Sequence, residues 1–323
     1  MIAFLQYSIR FSAVFLFGCV GEILTEKSGH LNLGIPGIMC SGAAGGCLGV
    51  SIYMGTLSNP DAPNYILLIL CGLLMAFLFS AVVGAIYAFL TVTLKCNQNI
   101  SGLALTTFGT GFTQFIIKKY VKQDNFSTAS TFFAKTLPVS EKLGWFGELF
   151  FSYGLIFYFA IAIAVVIALV LNKSKAGLNL RAVGENPATA DAVGINVSRY
   201  KYIAILIGSG IAGIGGFYFG MDVTQASGLS EITSTVEGYG WLAIALVIFT
   251  IWKPTLAIFG SIIFAVFSSL PYFINVSSNA QSALLNMVPY LITVFVLILT
   301  SIFGGKSVQP PASLGLNYFR EER

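Results

Sequence analysis

Long, nearly continuous apolar segments, separated by short polar stretches, dominate the pattern along the chain. A helix that crosses a membrane needs about 20 mostly apolar residues, because each residue rises about 1.5 Å and the hydrocarbon layer is about 30 Å thick. The pattern therefore predicts an all-α, polytopic transmembrane helix bundle with about eight to ten spans. The candidate spans lie near residues 3–24, 33–54, 65–94, 98–117, 149–171, 201–221, 237–252, 254–275 and 285–303.

Small residues recur at every fourth position of the candidate span near residues 201–221. They are Ala204, Gly208, Ala212, Gly216 and Gly220. Such a spacing gives a helix one face with almost no side chains, which lets a neighbouring helix pack closely. Two glycine pairs repeat the spacing in the second candidate span, Gly42 with Gly46 and Gly45 with Gly49. We therefore expect both helices to lie buried within the bundle.

Two polar connections of similar charge, residues 118–148 and 173–201, interrupt the apolar pattern. Each carries five basic residues, and because an odd number of predicted spans separates them, they must face opposite sides of the membrane. Basic loops favour the cytoplasm. We place the 173–201 connection there because the basic C-terminal tail falls on the same side if four spans follow. The prediction is a single transmembrane domain over residues 1–305, with a cytoplasmic loop at 172–200 and a cytoplasmic tail at 306–323.

The composition is 56% hydrophobic and 9% charged, and the net charge of +4 gives no sign of a nucleic-acid partner. Residues 208–213 match G-x-G-x-x-G, but inside a predicted span, and Gly305-Lys306-Ser307 is followed by prolines instead of a helix. Neither is a nucleotide site, so ATP would have to act through another subunit. The sequence also offers no catalytic constellation and no metal-ligand cluster, which makes an integral membrane enzyme a weak alternative.

Four ionisable residues, Arg10, Glu22, Asp222 and Glu237, lie in or beside predicted spans. Charged groups at membrane depth are typical of ion or proton pathways. All four are near predicted helix ends, where we expect them to reach the interface or a loop. A proton-coupled or ion-coupled carrier is therefore disfavoured.

Residues 184–202 form an unusual polar element between two apolar segments. Asn186 suits an N-cap, with its side chain accepting from the N–H of Thr189, and Pro187 suits the first helical position. Gly194 suits the left-handed conformation that ends a helix. A helix of about two turns is too short to be stable alone. It must rest on the bundle or on a partner, where its small residues Ala188, Ala190 and Ala192 permit close approach and Asp191 offers a charged contact. The alternative is an ordinary capped loop that joins two spans.

Two other candidate spans begin with polar residues. The segment from Asn32 through Pro36 to Gly37 predicts irregular backbone, which is tolerated at membrane depth where it lines a cavity. Asn97, Asn99 and Ser101 open the fourth span. Uncharged amides and hydroxyls suit a neutral solute, because they form hydrogen bonds without attracting ions. These residues are candidates for a translocation path, and the alternative is that they are helix caps at the interface.

Three phrases carry a resemblance to a known family. They are EKSGHLNLGIPGIM (26–39), RAVGENPATADAVGINVSRYKYIAILIGSGIAGIGG (181–216) and EGYGWLAIALVIFTIWKP (237–254). In this order they resemble the ABC-importer permeases of the branched-chain amino acid and simple-sugar superfamily, and among these most closely the nucleoside permeases. With the spans between them, the phrases cover most of residues 20–305. One departure is Tyr239, where many relatives have a basic residue.

The resemblance implies that Asn186 to Gly194 form a coupling helix that docks into an ATPase, with Ala188 and Asp191 as contact residues. It also implies a multi-pass protein of the bacterial inner (plasma) membrane that works, surrounded by membrane lipids, with a cytoplasmic ABC ATPase carrying ATP and magnesium and with a second permease subunit, a paralogue. An extracytoplasmic binding protein or lipoprotein would deliver the solute. The chain itself would hold no cofactor. A nucleoside is the expected solute, and simple sugars and branched-chain amino acids are the alternatives. From another class, a facilitator or channel would transport without ATP.

Overall fold

The computed structural model describes residues 2–60, 62–121, 126–136, 144–225, 232–274, 278–303 and 309–321. Its regular structure is entirely helical in these ranges. The helices are α1 Ile2–Glu26, α2 Ile35–Thr56, α3 Tyr65–Ala88, α4 Gln98–Tyr120, α5 Phe126–Phe133, α6 Gly144–Phe150, α7 Leu155–Lys173, α8 Lys175–Glu185, α9 Pro187–Ala192, α10 Val197–Tyr218, α11 Ile232–Phe249, α12 Pro254–Phe273 and α13 Asn279–Phe303. Single π-helical turns, Phe89–Thr93 and Phe219–Val223, extend α3 and α10.

Eight of the described helices are long and apolar enough to cross a membrane: α1, α2, α3, α4, α7, α10, α11 and α12. The last helix, α13, contains a shorter apolar stretch, Ala283–Leu299. The prediction of an all-α, polytopic helix bundle is therefore confirmed. Leucine, isoleucine and phenylalanine side chains on the outer faces, such as Ile66 and Leu74 of α3 and Phe259 of α12, are exposed, as lipid-facing side chains are.

Helices α2 and α10 lie at the centre of the bundle, where most of their residues are buried. Glycines allow backbones to touch: a Cβ at Gly42 would collide with the backbone of Gly213, and a Cβ at Gly208 would lie 2.5 Å from the carbonyl oxygen of Gly21. Gly216 faces the backbone of Met39 in the same way. In lipid, the hydrophobic effect does not drive helices together, because the lipid tails are as apolar as the side chains. Dispersion contacts between closely packed backbones hold the helices together instead.

One end of the bundle is formed by the α1–α2 loop (27–34), the α3–α4 connection (94–97), helices α8 and α9, and the C-terminal segment (309–321). We call it the α9 end. The hydrogen bond from Ser313 N to Gly184 O, 3.1 Å long, places the C-terminal segment at this end, the same end as helices α8 and α9 of the 173–201 connection. The start of α1 lies at the opposite end, where Gln6 Nε2 donates to Glu148 O of α6 at 3.0 Å.

Candidate functional site

Helix α9 is built as its sequence specifies. The Asn186 side chain accepts a hydrogen bond from Thr189 N at 3.0 Å, and Pro187 occupies the first turn, where no N–H is needed. Gly194 has φ +86°, and its N–H donates to Asp191 O at 3.0 Å. The regular helix spans Pro187–Ala192, with Val193 and Gly194 forming the turn that ends it. Both ends of α9 are therefore fixed by local chemistry.

Most of α9 faces outward. Ala190 is its buried residue and packs with Val183 and Val197 in a small cluster apart from the main core. Ala188 and Ala192 are exposed, and the neighbouring Val193 side chain is 72% exposed. Together they make a small, shallow apolar surface at the end of the bundle. The sequence analysis did not select Val193, although its position directly before Gly194, the residue predicted to end the helix, could have indicated it.

Asp191 is held by the chain itself. Its Oδ2 accepts a hydrogen bond from Tyr318 OH at 2.9 Å and lies 3.2 Å from Arg320 Nε. Only 13% of the Asp191 side chain is exposed. Asp191 therefore makes a charged contact within this chain, with the C-terminal segment, and its predicted contact with an ATPase stays a prediction.

The start of α2 is more regular than the sequence predicts. Asn32 is buried, and its Oδ1 accepts from Gly34 N at 2.9 Å, which forms a tight turn. The helix then begins at Ile35, with Pro36 in its first turn. The expectation of irregular backbone through Gly37 is wrong, because the first turn of a helix leaves its N–H groups without intrahelical partners and so accepts a proline.

The start of α4 packs directly against the start of α2. Asn97 is exposed and caps α4 by accepting from Ile100 N at 3.1 Å. Asn99 is exposed as well, whereas Ser101 is buried. The structure thus brings the polar starts of both helices together at the α9 end, with a backbone contact between Gly34 and Gly102.

Gln98 is an inward-facing residue that the sequence analysis did not select. Its Oε1 accepts from Leu31 N at 2.9 Å, and its Nε2 donates to Asn317 Oδ1 at 3.2 Å. It therefore joins the α1–α2 loop to the C-terminal segment. Sequence alone gives no reason to prefer Gln98 over its two asparagine neighbours, because all three carry a neutral amide group at a helix start.

A buried polar cluster also lies at the α9 end. Glu22 and Glu26, one turn apart on α1, are both buried. Glu22 Oε1 accepts from Asn32 N at 3.0 Å, and Glu26 accepts from the indole N–H of Trp252. The expectation that Glu22 reaches the interface is wrong, because neighbouring loops and helices cover the end of α1.

His30, in the α1–α2 loop, is a further buried polar residue at the α9 end. Burial, with a smaller contribution from the positive charge of Lys201, lowers the pKa of His30 to about 3. The imidazole is therefore neutral at physiological pH. A neutral imidazole adds no second positive charge beside buried Lys201.

At the opposite end, Arg10 and Asp222 form an ion pair between α1 and the π-helical turn after α10. Arg10 Nε lies 2.5 Å from Asp222 Oδ1, Arg10 Nη2 donates to the Asp222 carbonyl oxygen, and Tyr218 OH donates to Arg10 O at 2.9 Å. Asp222 is fully buried. The expectation that Asp222 reaches the interface is wrong, whereas Glu237 is half-buried, as a residue near a helix end can be.

These features define a class. A bundle of closely packed helices, eight of them long and apolar enough to cross a membrane, with a short capped helix at one end, defines a polytopic membrane protein. The chain matches the family described as branched-chain amino acid transport system / permease component over residues 4–297, and it belongs to that family. It is therefore a transport permease of the cell membrane and not an enzyme.

Individual relatives agree with this assignment. The nucleoside ABC transporter permease protein NupC of Lactococcus lactis is 31% identical over 97% of this chain and 95% of its own length. The guanosine ABC transporter permease protein NupQ of Bacillus subtilis is 28% identical over 98% of this chain and 96% of its own. A putative glucose ABC transporter permease protein of Haloferax volcanii, TsgC13, is 32% identical over 82% of this chain and 76% of its own. The chain is thus an ABC transporter permease.

Proposed function

We propose that this permease moves a nucleoside into the cell as part of an ATP-driven importer, and that α9 is its coupling helix. The nucleoside assignment is supported by the relatives NupC and NupQ, which align with nearly the whole chain. A glucose permease is also similar, so a simple sugar is the alternative, and a branched-chain amino acid is a second one from the family description.

The observation that carries the coupling assignment is the construction of α9. Asn186 and Pro187 fix its start, Gly194 fixes its end, and its exposed face carries small side chains. If a partner moved a flexible loop, the loop would change conformation and the bundle would stay in place. A capped helix instead moves as a unit and displaces the elements that it contacts. A facilitator or channel has no need of such an element.

The other subunits follow from this function. A cytoplasmic ABC ATPase would hold ATP and Mg²⁺ and dock on Ala188, Ala192 and Val193. A second permease, a paralogue of this chain, would complete the membrane part, and an extracytoplasmic binding protein or lipoprotein would deliver the solute. The α9 end then faces the cytoplasm, and the Arg10–Asp222 end faces outward.

The translocation path would pass the polar starts of α2 and α4. Asn97 and Asn99 are exposed there, and Asn32, Pro36 and Ser101 are buried. Neutral amides and hydroxyls can exchange hydrogen bonds with a ribose or a base without binding ions. The path residues and the proposed coupling helix lie at the same end of the bundle, where displacement of α9 would act on the elements that hold the path residues.

The coupling assignment is tested by removing the start of α9. In the double variant Asn186→Ala with Pro187→Gly, we expect ATP-dependent uptake to fall about thirtyfold, because loss of a cap costs about 1 kcal/mol, glycine adds a similar penalty, and about 1.4 kcal/mol is a factor of ten. Uptake and ATPase activity are measured in vesicles that contain the whole transporter. Asn64→Ala, which removes the equivalent cap of α3 at the opposite end, is the matched control and should leave coupling intact. Unchanged uptake and unchanged ATPase coupling in the double variant would show that α9 is not the coupling element.

The substrate is tested with the tagged chain purified from its native membrane together with its partners. We expect an ATPase, a second permease and a binding protein to co-purify. In vesicles with that binding protein, uridine and guanosine should stimulate ATP hydrolysis, and glucose and leucine should not. Stimulation by glucose or leucine would replace the nucleoside assignment, and solute transport by the chain alone without ATP would indicate a facilitator.

A further inference from the structure

The C-terminal segment, residues 309–321, folds back across the α9 end and joins separate parts of it. Ser313 N and Ser313 Oγ both donate to Gly184 O at the end of α8, at 3.1 and 2.5 Å. Gly315 N donates to Gly29 O in the α1–α2 loop at 3.2 Å. Backbone groups far apart in the sequence are thus tied together, so the segment has a defined position on the bundle.

The next residues tie the segment to the α3–α4 connection. Asn317 Nδ2 donates to Lys95 O at 2.7 Å and to Cys96 O at 3.3 Å. The Lys95 ammonium lies 4.4 Å from the centre of the Phe319 ring, within the range of a cation–π contact. With Gln98 bound to Asn317 Oδ1, this part of the segment is attached directly to the start of α4.

Tyr318 connects the segment to α9. Its hydroxyl donates to Asp191 Oδ2 at 2.9 Å, and its ring packs against the cluster that contains Ala190. Arg320 also reaches Asp191, but its side chain is 77% exposed, and water weakens an ion pair in that setting. Tyr318 therefore makes the stronger attachment, because it combines apolar packing with a hydrogen bond to a charged group.

We propose that the C-terminal segment is a strap that fixes the orientation of α9 against the starts of α2 and α4, with Tyr318 as its positioning residue. A six-residue helix is too short to be stable alone, and the one side chain that α9 buries, Ala190, packs in a small cluster with Val183 and Val197. Without an attachment to the starts of α2 and α4, α9 could rotate when the ATPase moves it, and these two helices would not follow. The strap supplies that attachment through Tyr318, Asn317 and Gly315. This inference rests on the proposed coupling role of α9.

The residues of α9 that bind the strap differ from those proposed to meet the ATPase. Asp191 acts inward, as the anchor of the strap, while Ala188, Ala192 and Val193 form the surface that meets the ATPase. The strap therefore leaves Ala188, Ala192 and Val193 exposed for the ATPase.

The test is Tyr318→Phe, which removes the hydroxyl and keeps the ring that packs on the cluster. In vesicles containing the whole transporter, with tritiated uridine and guanosine as probes, we expect the solute moved per ATP hydrolysed to fall about three- to tenfold, the range for loss of one partly buried hydrogen bond. The ATPase should still co-purify. Tyr120→Phe, which removes an exposed hydroxyl at the far end of α4, is the control and should leave the ratio unchanged. Asp191→Ala should lower the ratio at least as much, because it also removes the ion pair with Arg320. The double variant should be no worse than Asp191→Ala, because both changes break the same Tyr318–Asp191 hydrogen bond.

The Asn186→Ala, Pro187→Gly variant, measured beside these, separates the strap from the function on which it rests. A lower ratio in both it and Tyr318→Phe supports the strap. A lower ratio in the helix variant alone overturns the strap and leaves the coupling helix standing. An unchanged ratio in the helix variant overturns both, whatever Tyr318→Phe does. Less folded protein in Tyr318→Phe with an unchanged ratio would indicate a purely structural contact and would also overturn the proposal.

Discussion

Gly216→Leu is expected to prevent the permease from accumulating as folded protein. A Cβ at Gly216 would collide with the carbonyl oxygen of Met39 and lie 2.8 Å from its carbonyl carbon. Both atoms belong to the backbone of α2, so no side-chain rotation can relieve the clash. Helix α10 would have to move away from α2, at the centre of the bundle. Overpacking of a core costs about 1–3 kcal/mol where side chains can shift, and here a whole helix must shift, so we expect at least that much.

The amount of monodisperse protein extracted from membranes, followed by size-exclusion chromatography of a fluorescent fusion, measures this effect. Gly111→Leu is the matched control, because Gly111 also lies in a membrane-spanning helix but a Cβ there meets nothing within 4 Å. Gly216→Ala should be intermediate, since it adds the clashing carbon alone. Equal yields of Gly216→Leu and Gly111→Leu would mean that the α2–α10 contact is not as close as the structure has it.

The contact between α2 and α10 also shows what the sequence can predict. Length and apolar content give the spans, because the membrane imposes both on each helix separately. Repeated small residues at a spacing of four mark a close-packing face for a similar local reason. The same holds for α9, whose cap, first-turn proline and stop glycine act within a few residues of one another. Features that depend on short-range chemistry were therefore accessible before the fold was known.

The contacts of the C-terminal segment lay beyond such reasoning. Tyr318 binds Asp191 and Ser313 binds Gly184, and nothing in the local pattern of either partner indicates the other. The sequence could predict that the tail lies at the same end as the 173–201 connection, but not that it contacts α9. Burial of Glu22 and Asp222 was missed for a related reason: nearness to a helix end does not give depth in the bundle when other elements cover that end. Asn97 is an intermediate case, since capping was a stated alternative and the structure shows that cap.

Arg10→Ala is expected to destabilise the permease by about 3–5 kcal/mol, the usual cost of leaving a buried charge without its partner. Asp222 is fully buried and binds Arg10 through both its carboxylate and its carbonyl oxygen. Loss of the guanidinium leaves both acceptors without that donor at the place where the end of α10 meets α1. Thermal stability in detergent, measured as the temperature at which half of the protein aggregates, should fall clearly. Arg199→Ala, which removes an exposed arginine, should stay within about 0.5 kcal/mol of the parent protein.

A second variant separates the cost of an unpaired charge from the worth of the ion pair itself. Replacing both partners by apolar residues, Arg10→Met with Asp222→Leu, removes the buried charge together with its counter-ion. Such replacements are often neutral, because the desolvation penalty of the pair disappears along with its attraction. The double variant should therefore recover much of the stability lost in Arg10→Ala, although not all of it, since the carbonyl oxygen of residue 222 still lacks the donor that Arg10 supplied. If Arg10→Ala alone were as stable as the parent protein, the carboxylate would have to be protonated or hydrated when unpaired, and the pair would not hold α1 against α10.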